Sequence, residues 1–454
     1  MSAKKNKIEI CTIGGFEEVG KNCVAVKVDD EVVIFDLGLH LPSYIDYTQG
    51  DEDDVDVSPF ALTRVGAVPD LKPIKGWKSK TKAIVSTHAH LDHIGGIPYL
   101  GKKFKNADII CSPFTAAVLD KLYKDKKISS KNKIIRIKPN SKHKISDKLT
   151  IELIYVTHST PQATIAALHT PYGIIVYAND FKFDDFPTLG PKTNYDRLKK
   201  LGEKGVIVAI MDSVNSKKLR KTPSESVADE MLRDVMLGMK HEDKAVMVTT
   251  FSSHIARLKS IVKYAKKMNR KIIFLGRSLS KYAEAAEEVG LVKFSDDVEM
   301  VKFGSQIRKR VKRLKNPKEY VIVCTGHQAE PKSVLSKMIN GVFDFLLKRE
   351  DSIIFSCKII PVEENIIARK ELEEKLVRMG VRIFKDLHAS GHASREELRD
   401  FLKLVQPKHL IPSHGERALT GGSLELAKEL GYSNKYIHYV KDGEKLEFEA
   451  LEDS

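Results

Sequence analysis

Thr87-His88-Ala89-His90-Leu91-Asp92-His93-Ile94-Gly95-Gly96 is the stretch on which the reading of this chain turns. It closes a run of apolar and β-branched residues, Lys82 to Thr87, that predicts a strand, so His88, His90 and Asp92 alternate onto one side of an extended backbone. His93 follows where the chain turns towards a helix. Four metal-capable side chains thus fall within six residues of a 454-residue sequence that holds 15 histidines. Two imidazoles at i and i+2 can reach one ion, while an Asp with an adjacent His can reach a second.

Outward from this cluster, further His and Asp residues stand where predicted strands stop. His158 follows Leu149 to Val156, Asp180 follows Ile174 to Ala178, and His414 follows His409 to Pro412. Ligands on separate strand ends can converge, and these three supply what a two-ion site still lacks.

Three short runs near the start, Ile8 to Ile13, Cys23 to Val28 and Glu31 to Phe35, are separated by Gly14-Gly15 and Asp29-Asp30 and predict antiparallel hairpins. Strands at Asp108 to Cys111, Ile134 to Ile137, Thr164 to His169 and Val206 to Met211 make the first half mostly β. Past Pro223 the rhythm changes. Helices at Ser224 to Met239, Ile255 to Lys267, Ser280 to Val289, Lys332 to Asn340 and Asn365 to Met379 alternate with strands at Ala245 to Thr249, Lys271 to Leu275, Tyr320 to Cys324 and Ser352 to Ser356. That is the pattern of a parallel sheet with crossover helices. Strand and helix units at Val381 to Leu387, Glu396 to Val405, His409 to Pro412 and Leu424 to Leu430 then lead to a short strand pair near Tyr436 to Phe448.

Lys and Arg number 76 against 61 Asp and Glu, a formal charge of +15, which favours a polyanionic partner and nucleic acid first. The densest basic run, Lys302 to Lys318, carries Arg308, Lys309, Arg310, Lys312, Arg313 and Lys315 and reads as either helix or loop. Asp46 to Asp56 is acidic, rich in turn formers, and reads as a surface loop. No stretch approaches the roughly 18 apolar residues of a membrane span, and the basic start lacks a following apolar block, so a cytoplasmic protein is expected. The five cysteines lie far apart without a C-x-x-C pair, which predicts buried or free thiols rather than disulfides or a thiolate zinc site.

The order HxHxDH, then single His, Asp and His, resembles the metallo-β-lactamase fold superfamily of binuclear hydrolases. The resemblance implies an α/β fold, the αββα sandwich. It places His88, His90 and His158 on one ion, Asp92, His93 and His414 on the other, and Asp180 between them. Asp36, after Val33 to Phe35, is implied as a support of the ligand loop. The α/β stretch that interrupts this pattern looks like the inserted domain of the β-CASP nucleases, with domains expected at 1–215, 216–380 and 381–454. Gly15-Phe-Glu-Glu-Val-Gly-Lys-Asn22, Met211-Asp-Ser-Val-Asn215 and His388-Ala-Ser-Gly-His392 are similar to stretches of the ribonuclease J family, in its shorter archaeal type.

That resemblance implies a two-metal ribonuclease hydrolysing RNA phosphodiester bonds from 5′ to 3′, with a preference for 5′-monophosphate ends and a further endonuclease capacity, serving RNA decay and rRNA maturation. Two divalent ions are expected, zinc first and manganese as the alternative. Asp92 and Asp180 hold the ions and can accept the water proton, His392 contacts the scissile phosphate, His388 assists, and Asp212 positions the group by hydrogen bonding. Helix N-termini suit a terminal phosphate, and two such loops carry Ser253 and the pair Arg277 and Ser278. Ser390 and Gly391 join His388 and His392 on the RNA, and Lys182 and Lys358 are expected on backbone phosphates. The expected partners are single-stranded, 5′-monophosphorylated RNA and a second copy of the chain, with no membrane. Two departures from the family pattern stand out: Asn179 where Gly is more usual, and His327 where a small or polar residue is common, either facing RNA or sitting in an exposed loop. The competing readings are an mRNA 3′-end processing endonuclease of the same subgroup and an inactive RNA-binding relative.

Overall fold

Asp29 takes φ 54° between Cys23–Val28 and Glu31–Phe35, and the tight turn pairs these strands antiparallel with Val28 opposite Glu31. The hairpin is part of a seven-stranded sheet in the spatial order Lys445–Phe448, Ile8–Gly14, Cys23–Val28, Glu31–Phe35, Thr81–Ser86, Asp108–Cys111 and Ile134–Arg136. Its first four strands pair antiparallel and the rest parallel. A computed structural model describes residues 8–48, 57–345, 347–360 and 363–451.

A second, six-stranded sheet runs His409–Ser413, Val206–Asp212, Gly173–Ala178, Thr164–Thr170, Thr150–Tyr155 and Ser141–Lys144. Alternate side chains face inward from both sheets. Val24, Val26, Val33, Phe35 and Val85 meet Ile151, Leu153, Leu168, Ile175 and Tyr177 in one buried core. The opposite face of the second sheet (Ile165, Val176, Ala209, Met211) packs on Leu198, Phe401, Leu402 and Leu426 from helices Tyr195–Lys204, Arg395–Val405 and Gly422–Glu429. Ile34, Ile84 and Ile109 on the other face of the first sheet are fully buried too. The result is the expected αββα sandwich.

These sheets form one compact unit, Met1–Asp185 with Pro191–Thr222 and Gly391–Ser454; the second unit is Phe186–Gly190 with Pro223–Ser390. Thr222 belongs to the first because its N–H donates to Glu397 and its hydroxyl to the His392 carbonyl, both at 2.7 Å. Arg382–Phe384 belongs to the second as the edge strand of its sheet.

The second unit has a fully parallel six-stranded sheet in the order Val298–Val301, Lys271–Leu275, Tyr320–Cys324, Val246–Thr249, Ser352–Phe355 and Arg382–Phe384. Parallel strands need crossovers that cover both faces, which is why VMVT, YVIVC and SIIF read as nearly unbroken apolar runs. Behind the strand ends lies a buried ion pair. Arg257, fully buried in helix Ile255–Lys267, makes a two-pronged contact with Glu225 at 2.7 and 2.9 Å and donates to the carbonyls of Ser356 and Leu387 at 2.8 and 2.9 Å. Burial opposes ionisation of Glu225, yet Arg257 and His254 outweigh it and hold the carboxyl well below its ordinary range. Arg257→Ala strands that charge, so urea unfolding of the second unit should show a loss of about 3 to 5 kcal/mol.

Several expectations are corrected. The chain ends on one strand rather than a strand pair near Tyr436 to Phe448. Lys445–Phe448 pairs back across the molecule with Ile8–Cys11, while Ile437 makes a separate bridge to Leu410. The first half carries helices that its β-rich composition hid, among them Pro113–Asp125 and Tyr195–Lys204. Asp46 lies in the last turn of a helix, Leu41–Thr48, rather than opening a loop, and residues 49–56 of the acidic stretch lie outside the described residues. The basic run forms a helix, Gly304–Lys312, within which Ile307 and Val311 are buried. All five cysteines are free and buried.

Candidate metal centre

The ends of parallel strands build the site, as is general in α/β folds. In the first sheet Asp36 follows Glu31–Phe35, and His88 follows the adjacent Thr81–Ser86 with one residue between. In the second, Asp180 follows Gly173–Ala178, Asp212 closes the neighbouring Val206–Asp212, and His414 follows His409–Ser413 beside it. Asp36, Asp180 and His414 all take positive φ, 55°, 54° and 66°, a backbone uncommon for residues other than glycine and held here by the surrounding contacts.

Proton positions follow from the partners. Asp36 can only accept, and it takes bonds from Thr87 Oγ1 at 3.0 Å and His93 Nδ1 at 2.7 Å. With the Thr87 proton so used, its oxygen accepts from His88 Nδ1 at 3.1 Å. His158 Nδ1 donates to the Gly391 carbonyl at 2.7 Å. His88 and His158 therefore each turn an unprotonated Nε2 inward, and His93 turns its Nε2 to the same point, where burial is outweighed by Asp180, then Asp92 and Asp36, which raise its imidazole well above the ordinary value. These nitrogens lie 3.5, 3.2 and 3.6 Å from Asp180 Oδ2. His90 Nδ1 stands 3.0 Å from His88 Nε2 and 3.2 Å from His158 Nε2. Burial first, then the neighbouring histidines, lowers His88 and His90 to about 3 and His158 well below its ordinary value, so all three are neutral ligands at pH 7.

Two groups result. His88, His90, His158 and Asp180 form one, and Asp92, His93, Asp180 and His414 the other, the potential donor atoms of each lying within 4.8 Å of one another. Asp180 belongs to both. Its Oδ1 is buried and takes no hydrogen bond, and lone pairs converging on one point are what a cation satisfies and neutral imidazoles alone do not. The donor set, imidazoles with carboxylates, fits a divalent metal.

Asp212 is fully buried and accepts from His392 Nδ1 at 2.8 Å. The His392 ring lies edge-on to His158 at 5.3 Å and stacks on His414 at 5.2 Å, next to both groups. Asp180, Asp212 and His392 also lie close enough to hold an ion, but the direct Asp212 to His392 bond makes them a hydrogen-bonded pair. Burial disfavours charge on His392; Asp212 and then Asp180 outweigh it and lift the imidazole to about 9.

The other predicted residues divide. His388 and Ser390 belong to the second unit, Gly391 and His392 to the first. His388 is neutral, pushed down to about 2 by burial and then by Arg257, and its Nδ1 has no hydrogen-bond partner. Gly391 supports His158 through its carbonyl, and a Cβ there would stand 2.7 Å from that ring. Ser253 is buried just before helix Ile255–Lys267. Arg277 opens helix Arg277–Glu288 with Ser278 behind it, and Ser278 Oγ meets Ser252 Oγ at 2.9 Å, so the two loops join through Ser252, which sequence reasoning passed over. Lys182 is buried and ion-paired with Asp184 at 3.2 Å rather than open to phosphate, whereas Lys358 is exposed. His327 is not an exposed loop residue but packs edge-on against Phe251 at 4.2 Å. Asn179 donates to Asn22 Oδ1 at 2.9 Å. Asn22 was quoted in a motif and given no role.

Three family models match the chain: a beta-lactamase superfamily domain over residues 56–184, the ribonuclease J beta-CASP domain over 243–371, and a Zn-dependent metallo-hydrolase RNA specificity domain over 377–437. Ribonuclease J of Methanocaldococcus jannaschii is 39% identical over 452 residues, covering 98% of this chain and 100% of that protein. Ribonuclease J of Pyrococcus abyssi is 38% identical over 446 residues, 97% of each chain. A crystal structure of an Enterococcus faecalis protein of unknown function shares the fold, with a TM-score of 0.64 and 18% identity over 97% of this chain and 99% of that one. With its three domain matches in order and its archaeal relatives aligned almost end to end, this chain belongs to the ribonuclease J family.

Proposed function

We propose that this metal-dependent RNA nuclease is a two-ion 5′-to-3′ exoribonuclease that prefers 5′-monophosphate ends and can also cut internally, acting in RNA decay and maturation. The observation that carries the reading is the pair of four-residue groups sharing Asp180, with the Asp212–His392 pair beside them. Zinc first, or manganese as the alternative, would when bound there supply Lewis-acid activation of water near neutral pH and charge neutralisation at the phosphodiester. His88, His90 and His158 would hold one ion and Asp92, His93 and His414 the other, with Asp180 available to both. Asp36 and Gly391 orient ligand rings through their other nitrogens. His392, held by Asp212, places an N–H donor or imidazolium on the scissile phosphate or the departing oxygen, with His388 assisting. The 5′-phosphate is read in the second unit by the loops of Ser253, Arg277 and Ser278, and Ser390 and Gly391 line the RNA. The reading includes a cytoplasmic protein, in keeping with its free buried thiols, and a homodimer, which light scattering would test.

The test is one RNA labelled at its 3′ end and carrying either a 5′-monophosphate or a 5′-triphosphate. Progressive shortening of the monophosphate form alone, stopped by chelator and restored by zinc or manganese, is the expected result. Identical discrete fragments from both forms would make the protein chiefly an endonuclease and remove the basis for Ser253 and Ser278.

A further inference from the structure

The stretch Gly15 to Asn22 has no part in the site as described so far, and the structure gives its last residue one. Asn22 is 1% exposed. Lys21 at φ 53° and Gly20 at φ 115° turn the chain so that the Asn22 amide enters the site. Its backbone N–H and its Nδ2 both donate to the Asp92 carbonyl, at 3.0 and 3.1 Å. Nδ2 also stands 3.1 Å from His93 Nε2 and 3.4 Å from Asp92 Oδ2. On the other side Oδ1 accepts from His414 Nδ1 at 3.1 Å and from Asn179 Nδ2 at 2.9 Å. Asn179 immediately precedes Asp180, and its own Oδ1 lies 3.2 Å from Ser413 Oγ, next to His414.

One side chain thus touches Asp92, His93 and His414 and, through Asn179, reaches the fourth member of the same ligand group. None of its bonds goes to His88, His90 or His158. The glycines around it exist for this approach: a Cβ on Gly38 would stand 1.7 Å from the Asp92 carbonyl oxygen and 2.9 Å from Asn22 N, and one on Gly15 would stand 2.5 Å from Asn22 Oδ1. Gly15 also accepts at its carbonyl from the backbone N–H of His414 at 2.8 Å. The motif therefore ties two ligand segments that are more than three hundred residues apart in sequence to one amide.

We infer that Asn22 is a positioning residue for one ion of the two: it sets the Asp92, His93, Asp180 and His414 group and leaves the His88, His90, His158 and Asp180 group to its own supports. Its bonds to the Asp92 carbonyl and from His414 Nδ1 are to atoms that do not face the ion, whereas Nδ2 lies beside the inward His93 Nε2 and Asp92 Oδ2. Bonds of the first kind fix the ligand loop, ring rotation and tautomer, and their loss costs about 10- to 100-fold in metal affinity. The inference rests on the two-ion reading, so the experiment separates the two. Parent, Asn22→Ala and Asn179→Ala are stripped with chelator and titrated with zinc against a competing chromophoric chelator. Anomalous scattering from zinc-soaked crystals then assigns each ion to its group. A buried control, Asn132→Ala, removes an amide that donates to the Phe104 and Ala107 carbonyls at 2.9 Å and belongs to neither group.

The expected result is parental affinity at the three-histidine group and a loss of 10-fold or more at the other in Asn22→Ala, a smaller loss at the same group in Asn179→Ala, and two normally bound ions in the control. Asn179→Ala alone decides the matter if Asn22→Ala does not fold. Unchanged affinity at both groups, or an equal fall at both, overturns the inference while leaving the two-ion reading intact. A parent that binds no ion at the Asp92 group overturns the two-ion reading, and the inference with it.

Discussion

Asp180→Asn should lower kcat/KM on 5′-monophosphorylated RNA by about a thousandfold or more, and atomic emission should find less metal in the purified variant. The carboxylate is the one residue shared by both ligand groups. Two unit charges about 4 Å apart interact by about 4 kcal/mol at an effective dielectric of about 20, and roughly that energy corresponds to three orders of magnitude in rate. Asn keeps the shape and removes the charge, so the loss reports electrostatics rather than packing. Asp180 is 2% exposed, and burial opposes its ionisation, but His414 and His93 hold its carboxyl well below the ordinary carboxylate range. The site is therefore set to carry a carboxylate at any pH at which the protein works. Parental rate together with parental metal content in the variant would remove Asp180 from the role given to it.

What could be read beforehand was what leaves a spacing signature. His88, His90, Asp92 and His93 announce themselves by their density, four in six residues, although they do not alternate along the strand: it ends at Ser86, and Asp92 and His93 sit in the short helix Leu91–Ile94. His158, Asp180 and His414 announce themselves by their places after apolar runs, and all seven converge. Hydrogen bonds between side chains distant in sequence leave no such trace. Asn22 and Asn179 meet across 157 positions and Asn22 and His414 across 392, so neither contact follows from any periodicity. The Gly391 carbonyl on His158 is of the same kind. Helix Pro113–Asp125 was missed although its start was written in the chain: Ser112 followed by Pro113 is a favoured N-cap and first-turn pair, outweighed in the reading by the β-rich runs on either side. The last strand, Lys445–Phe448, is polar at alternate positions and lies on a sheet edge, and only its long-range pairing with Ile8–Cys11 defines it. In the second unit the parallel sheet was legible because burial on both faces makes its strands continuous apolar runs, whereas Val298–Val301, an edge strand with one exposed glutamate, was not.

Asp212→Asn should lower kcat by about 100- to 10,000-fold, the range of a lost or misoriented general acid or base, with little change in bound metal. Asp212 Oδ1 accepts from the Val214 N–H at 3.0 Å and Oδ2 from His392 Nδ1 at 2.8 Å, so the carboxylate fixes both the ring's orientation and which nitrogen faces outward. Asparagine can present its NH2 to that nitrogen and favour the wrong tautomer. The pH profile separates this from simple damage. Burial lowers His392, Asp212 and then Asp180 raise it, and the net is a value near 9 in the protein without ions. Bound divalent ions lower that value in parent and variant alike, so the difference between them is the readout: the alkaline limb of the rate profile moves to lower pH in Asp212→Asn. Linkage gives a second sign in the ion-free protein. An imidazole raised above its ordinary 6.5 contributes stability that is complete below about 6.5 and is lost as pH rises towards about 9, and the variant's melting temperature should lose that part of its pH dependence. Because the two residues act as one unit, His392→Ala should cost about as much as Asp212→Asn, and the double variant little more than either. Fully additive losses would mean that Asp212 acts on something other than His392.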